Sequence, residues 1–259
     1  MNNHQKIALA ICCVILPSVA AAQQNQFVST EQKVQLIELY TSQGCSSCPP
    51  ADDLLNKLSS SDQLWKTFIP VAFHVDYWNY LGFSDIYSSR SASQRQRQHY
   101  TFGNISSVYT PGFIVAGNEW RGFFAGESVP KQTKQQVGRL RLQLDTSHSL
   151  LNMSFNNKSQ LKPHHCVFAL LGFDQNVQIT AGENSGLNLR QSFSVLAFKQ
   201  TQSHFQNGQH QCHSDIAEFK SLIDNRDKKH LKTALVGWIN SVQQKPIQVT
   251  GGWLTGPSQ

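Results

Sequence analysis

From residue 34 to residue 145, short apolar runs alternate with stretches whose apolar positions recur at helical spacing. Val34-Gln35-Leu36-Ile37-Glu38-Leu39-Tyr40 reads as a mostly buried strand, and Thr41 to Gly44 as a tight loop. Pro49 to Leu58 then predicts a helix. Leu54, Leu55 and Leu58 supply its apolar face, and Pro49 and Pro50 fall in a first turn that does not need their missing N–H groups. Asp52 and Asp53 suit early helical positions. Ile69 to Val75 is a second strand with Pro70 near its start. Asp76 to Ser89 is aromatic and irregular, and Ala92 to Tyr100 predicts a polar helix with Arg95 and Arg97 on a solvated face. Val108 to Gly117 is a bend at Pro111 followed by a strand, Gly117-Asn118 is a turn signal, and Glu119 to Phe124 reads as the returning strand. Val129, Val137, Leu140 and Leu144 suggest a helix over 128–144.

Beyond Asp145 the pattern changes to short strand-like runs, often separated by Gly- and Asn-rich turns. They cover 150–155, 165–173, 177–181, 193–199, 233–239 and 247–253. The expected fold class is α+β. Residues 34–145 would form a thioredoxin-like α/β domain with an insertion before its last hairpin, and residues 146–259 a smaller β-sandwich-like domain. Residues 23–33 are polar and read as a frayed lead-in.

Composition bears mainly on compartment. Residues 1–22 have the layout of an export signal, with Lys6 in the n-region, an apolar stretch from Ile7 to Leu16, and Ala20-Ala21-Ala22 before Gln23. The stretch is too short to span a bilayer, and no later run is long and apolar enough to be a stable membrane anchor. A periplasmic or secreted location is therefore expected. Cleavage after Ala22 removes Cys12 and Cys13, leaving Cys45, Cys48, Cys166 and Cys212 in a compartment where disulfides persist. The net charge of +6 is spread along the chain without basic runs interleaved with aromatics, which argues against a nucleic-acid partner.

The chemistry centres on Cys45-Ser46-Ser47-Cys48, at the junction of the first strand and the first helix. CxxC in that position is the form of a redox-active dithiol. A helix N-terminus stabilises the thiolate of the first cysteine, and the second is near enough to resolve a mixed disulfide. Cys45 is thus the expected exposed attacking thiol and Cys48 the buried resolving one. Thr110-Pro111 opens the strand expected beside the dithiol, the position of the cis-proline that clamps a substrate backbone in thioredoxin-fold oxidoreductases.

Three segments, Thr41 to Asp52, Phe73 to Gly82 and Tyr109-Thr110-Pro111, resemble the signature of a family of secreted, thioredoxin-like bacterial proteins of unknown function. Ala181 to Gly186 is similar to that family's second-domain motif. The resemblance implies a thioredoxin-like N-terminal domain and a redox role, without naming a substrate.

Thioredoxins carry a buried acid six residues before the first cysteine. Here Glu38 stands seven before, either beside the dithiol as a catalytic acid or as a strand-end acid reaching solvent. His74 and Asp76 share one strand face and, with Thr110, Tyr77, Trp78 and Tyr80, either line a substrate groove or form an aromatic packing loop. Glu183 and Asn184 sit in a glycine-bounded turn with either a turn role or one at the interface of the two halves. Cys166 and Cys212 are flanked by histidines and form either a structural disulfide or part of a zinc site; adjacent strand residues point apart, which favours the disulfide. The expected function is a thiol–disulfide oxidoreductase acting on protein thiols, with a protein thiol or disulfide partner and no metal or other cofactor. The alternatives are a binding or scaffold protein with a structural Cys45–Cys48 bond, and a copper or zinc carrier.

Overall fold

A computed structural model of the chain describes residues 25–225 and 232–254. The proposed export signal lies outside these residues. Strands run over Asn25–Val28 (β1) and Gln35–Thr41 (β2), then helix α1 over Pro49–Leu58, β3 over Phe68–His74 and α2 over Arg90–Thr101. The hairpin strands β4 and β5 cover Gly112–Val115 and Asn118–Glu119. There follow β6 (Gly138–Asp145), β7 (Leu150–Asn157), β8 (His165–Phe173), β9 (Gln175–Gln178), β10 (Asn188–Gln191) and β11 (Ser194–Gln202). The described chain ends with β12 (His204–Gln206), β13 (Gln209–Asp215), α3 (Ala217–Asn225), β14 (Lys232–Asn240) and β15 (Pro246–Trp253).

Fifteen strands against three α-helices among the described residues make this a mostly β protein, not the α+β fold with a thioredoxin-like α/β domain expected from the sequence. Two observations overturn that expectation. The helix expected over 128–144 does not form. Gly138–Asp145 instead alternates buried Leu140, Leu142 and Leu144 with outward Arg139, Arg141 and Gln143, a period of two that the wider helical spacing of Val137, Leu140 and Leu144 had masked. The strands of the first half also do not close on themselves: their sheet continues into the second half, in the order β15-β14-β8-β11-β3-β2-β4-β5.

Within this eight-stranded sheet β2 pairs parallel to β3 and antiparallel to β4. A short parallel contact, Ser194 opposite Ala72, joins β11 to β3. A second sheet, β1-β6-β7-β13-β12, includes the lead-in that had been expected to fray, because Asn25–Val28 pairs with Arg141–Leu144. The expected returning strand over 119–124 is only Asn118–Glu119, followed by a 3₁₀ turn over Gly122–Ala125.

The side chains form two cores. One gathers Leu36, Leu39, Tyr40, Ala51, Leu55 and Phe73 with Val167, Phe173, Phe193 and Trp238. The other lies between the two sheets and holds Leu140, Leu142, Met153, Phe155, Phe168, Leu235 and Ile239. Cys166 on β8 and Cys212 on β13 form a disulfide that ties the sheets together across this second core, so these two sulfurs are paired with each other.

Candidate functional site

The Cys45–Cys48 disulfide closes a turn between β2 and α1, in which the Cys48 N–H donates to the Cys45 carbonyl. Helix α1 begins at Pro49, with Cys48 as its N-cap. Two of its first-turn positions are prolines and carry no N–H, and the Ala51 and Asp52 N–H groups both donate to the Cys48 carbonyl. The helix end therefore offers the sulfurs fewer free donors than its position in sequence suggested. The expected exposed Cys45 is also corrected. In the disulfide form Cys45 is 1% exposed and Cys48 fully buried.

A buried polar cluster lies behind the disulfide. Asp52, one helical turn after Cys48, shares its face of α1. Burial pushes the Asp52 carboxyl up to about 6, against the opposing pull of the His74 charge. Gln191 on β10 reaches toward the same carboxylate and also accepts from the Gln43 side chain. His74, the last residue of β3, donates from Nδ1 to Asp85 Oδ2 at 2.7 Å. Burial disfavours its imidazolium, but the Asp85 charge and hydrogen bond prevail and raise the His74 pKa. Asp85 in turn stays low despite burial, held by His74 and by the backbone N–H groups of Gln43 and Tyr87.

The Ser194 hydroxyl lies 3.3 Å from His74 Nε2, which completes a Ser–His–Asp order. Ser194 is fully buried, and its backbone is paired with both β8 and β3, so no substrate carbonyl can reach its oxygen as hydrolysis requires.

On the opposite side, the Thr110–Pro111 peptide bond is cis. Trp78 connects it to the dithiol turn: its Nε1 donates to Thr110 Oγ1 at 2.7 Å, and its Cβ packs on Gly44, where any side chain would crowd it at 3.3 Å. Gln96 of α2 accepts from the Tyr77 hydroxyl and donates to the Tyr109 carbonyl, which fixes both loops. Asp76 lies beyond the end of β3 and is bound by Ser93, while Tyr80 projects into solvent. Cys45, Cys48, Thr110, Pro111 and Trp78 thus fall in one region. His74 lies in the buried cluster rather than on an open groove.

Glu38 does not reach solvent, one of the two positions expected for it. It is fully buried on β2, and its two carboxylate oxygens accept from Arg95 Nε and Nη2 at 2.9 and 3.1 Å, with Tyr40 and His99 alongside. Burial opposes its charge, but Arg95 and His99 outweigh it and lower the pKa to about 2. Arg95, expected on a solvated face, is instead buried, stacked over Phe73 and Trp238. No hydrogen bond among the described residues joins Glu38 to the dithiol turn.

The burial of Asp52 was not legible in the sequence, whereas an interface role for the turn carrying Glu183 and Asn184 was one of the two readings it allowed. Asp52 reads there only as a helix-start acid, and no local signal marks its burial. From the second half, the turn at 182–186 docks on the dithiol backbone. Asn184 donates from Nδ2 to the carbonyls of Gln43 and Cys45, and Glu183 accepts the Ser46 N–H.

Two solved structures share the fold. The protein AGR_C_4864 of Agrobacterium tumefaciens aligns over 89% of this chain and 98% of its own, with a TM-score of 0.59 at 20% identity. HBP35 of Porphyromonas gingivalis aligns over 89% of this chain and 80% of its own, with a TM-score of 0.54 at 13% identity. No curated protein sequence matches the chain. The profile of DUF1223, described as a protein of unknown function, matches residues 36–232. Since that match spans well over half of its length, the chain belongs to the DUF1223 family.

Proposed function

We propose that this protein exchanges disulfides with a protein dithiol through Cys45 and Cys48, in the periplasm or outside the cell. The observation that carries the reading is Asp52, a buried carboxyl with a pKa raised to about 6, one helical turn from Cys48. A proton donor or acceptor poised near neutral pH, on the helical turn that follows the leaving sulfur, is what exchange needs.

In the oxidising direction a substrate thiolate attacks Sγ of Cys45. The Cys45–Cys48 bond breaks, and Cys48 leaves as a thiolate that takes a proton from the Asp52 carboxyl. The substrate's second thiolate then attacks its own sulfur in the mixed disulfide and releases Cys45. The substrate loses two electrons and gains a disulfide, while Cys45 and Cys48 become thiols, and the two protons shed by the substrate are balanced on the pair through solvent and Asp52. The reverse sequence reduces a substrate disulfide. In this reading Thr110, Pro111 and Trp78 hold the substrate backbone, Asp76 borders the approach, and His74 with Asp85 positions the charge near Asp52.

The near-complete burial of both cysteines favours a second reading, a scaffold whose Cys45–Cys48 bond is structural. Titration against glutathione or dithiothreitol separates the two. A potential below about −300 mV marks a structural bond, and a higher one supports exchange. The direct test is Cys48→Ser, which leaves a Cys45 thiol that cannot be resolved internally. Exchange predicts accumulated mixed disulfides with small disulfide peptides and with periplasmic proteins. Their absence in a folded, fully reduced variant would reject it.

A further inference from the structure

We propose that Glu183 sets the reactivity of Cys45: its carboxylate occupies the Ser46 N–H and places a negative charge at the dithiol turn, which disfavours the Cys45 thiolate. This deepens the exchange reading and rests on it. The dithiol turn has few backbone donors to spare for a thiolate. A thiolate in a CxxC turn depends on nearby backbone N–H groups and on the helix end. Here Pro49 and Pro50 have none to give, the Ala51 and Asp52 groups are spent on the Cys48 carbonyl, and the Cys48 group is spent on the Cys45 carbonyl. Of the two residues between the cysteines, Ser47 places its hydroxyl 3.4 Å from Cys45 Sγ, while the Ser46 N–H is taken by Glu183 Oε2 at 3.0 Å. The Ser46 hydroxyl and N–H together lower the Glu183 pKa, so it carries its charge at neutral pH.

The contact is held from outside the turn. Asn184, 3% exposed, anchors the loop through two bonds of 2.9 Å to the Gln43 and Cys45 carbonyls. The loop also closes on itself, with the Gly186 N–H donating to Ile179 and the Leu187 N–H to Asn184. The other titratable groups at this end of α1 are Asp52 on the helix, His74 at the end of β3, and Asp85, whose carboxylate takes the Gln43 N–H. Two of these three are carboxyls. The Glu183 charge, closest to the turn through Ser46, works against the Cys45 thiolate, and so favours the disulfide over the dithiol and makes the protein a weaker oxidant than it would be without that charge.

The test compares Glu183→Gln, which keeps an acceptor oxygen and removes the charge, with Glu183→Ala, which also frees the N–H. In each folded protein the Cys45 pKa is read from thiolate absorbance of the reduced form, and the potential from equilibration with glutathione. An exposed charge at a helix end is worth only a few-fold. The expected shift for the glutamine variant is therefore about threefold toward the reduced form, or about 14 mV at ~30 mV per decade. The alanine variant shifts further, both variants lower the Cys45 pKa, and the glutamine effect shrinks in 1 M salt. An unchanged potential and pKa in both variants overturns the proposal; Asn184→Ala, which unpins the loop that carries Glu183, should shift both in the same direction. If the wild-type disulfide does not exchange with glutathione at all, the exchange reading itself fails, a separate outcome.

Discussion

Replacing Asp52 with asparagine should make the protein more stable and less active. Asp52 has an ordinary carboxyl pKa of 3.8 when unfolded and about 6 when folded, chiefly because burial disfavours its charge. A folded pKa above the unfolded one means that the native state binds the extra proton. Its contribution to stability is therefore complete below about pH 4 and is lost as the pH rises through about 6. At ~1.4 kcal/mol for each pH unit separating the two values, the ionised group costs the native state about 3 kcal/mol at neutral pH. Asparagine has nearly the same shape, cannot ionise, and still offers an oxygen to Gln191. Urea unfolding of the oxidised protein should show Asp52→Asn more stable by about 3 kcal/mol near pH 7.5, with the difference closing near pH 4. Exchange with a small dithiol peptide should slow by about 10²-fold and lose its pH inflection near 6, because Cys48 has lost its proton partner. A variant that is less stable at neutral pH, or a stability difference that does not vary with pH, would refute the reasoning. Stability gained where activity is lost is the expected trade at a functional site.

Removing the second disulfide by Cys166→Ala with Cys212→Ala opens a link between residues 46 apart, and the chain-entropy argument puts the loss at about 4 kcal/mol; urea or thermal unfolding should show it, with exchange at Cys45 retained. Glu38→Ala leaves the Arg95 guanidinium buried without its partner and should cost about 3–5 kcal/mol in urea unfolding. Because the folded pKa of Glu38 is depressed from 4.5 to about 2, its stabilisation should be full above about pH 4.5 and fade as the pH falls toward 2.

The elements that carry the dithiol were legible because their patterns are strong and local. The mostly apolar run before Thr41, the prolines and leucines after Cys48, and the Thr-Pro bend before Gly112 all fell within a residue or two of β2, α1 and β4. Weak or mixed patterns misled. Gly138–Asp145 carries leucines at both strand and helix spacing, and only pairing against β1 and β7 decides between them. Gln209–Asp215 is almost wholly polar, so nothing in it announces a strand whose Cys212 and Ser214 turn inward. Arg95 has the sequence context of a surface residue and becomes a core residue because Glu38, on another element, supplies its counter-charge. Asp52 acquires its surroundings from residues distant in sequence, to which local reading has no access; Glu183 and Asn184 were legible as a possible interface turn, but not as a contact of the dithiol backbone.

The short contact between Ser194 and Ala72 sets an order of events. A chain emerging from its N-terminus completes β2, β3 and β4 long before β11 exists, so the outer edge of β3 waits unpaired for more than a hundred residues. An open edge of this kind is a template for mispairing with another chain, and the long wait puts the protein among slowly closing topologies. A product truncated before residue 193 would keep both cysteines of the dithiol and lose the backbone carbonyl of Phe193 that bonds Ala72. It would present a bare strand edge beside an intact Cys45–Cys48 turn, so sticky aggregates rather than a small working enzyme are what such a fragment should yield.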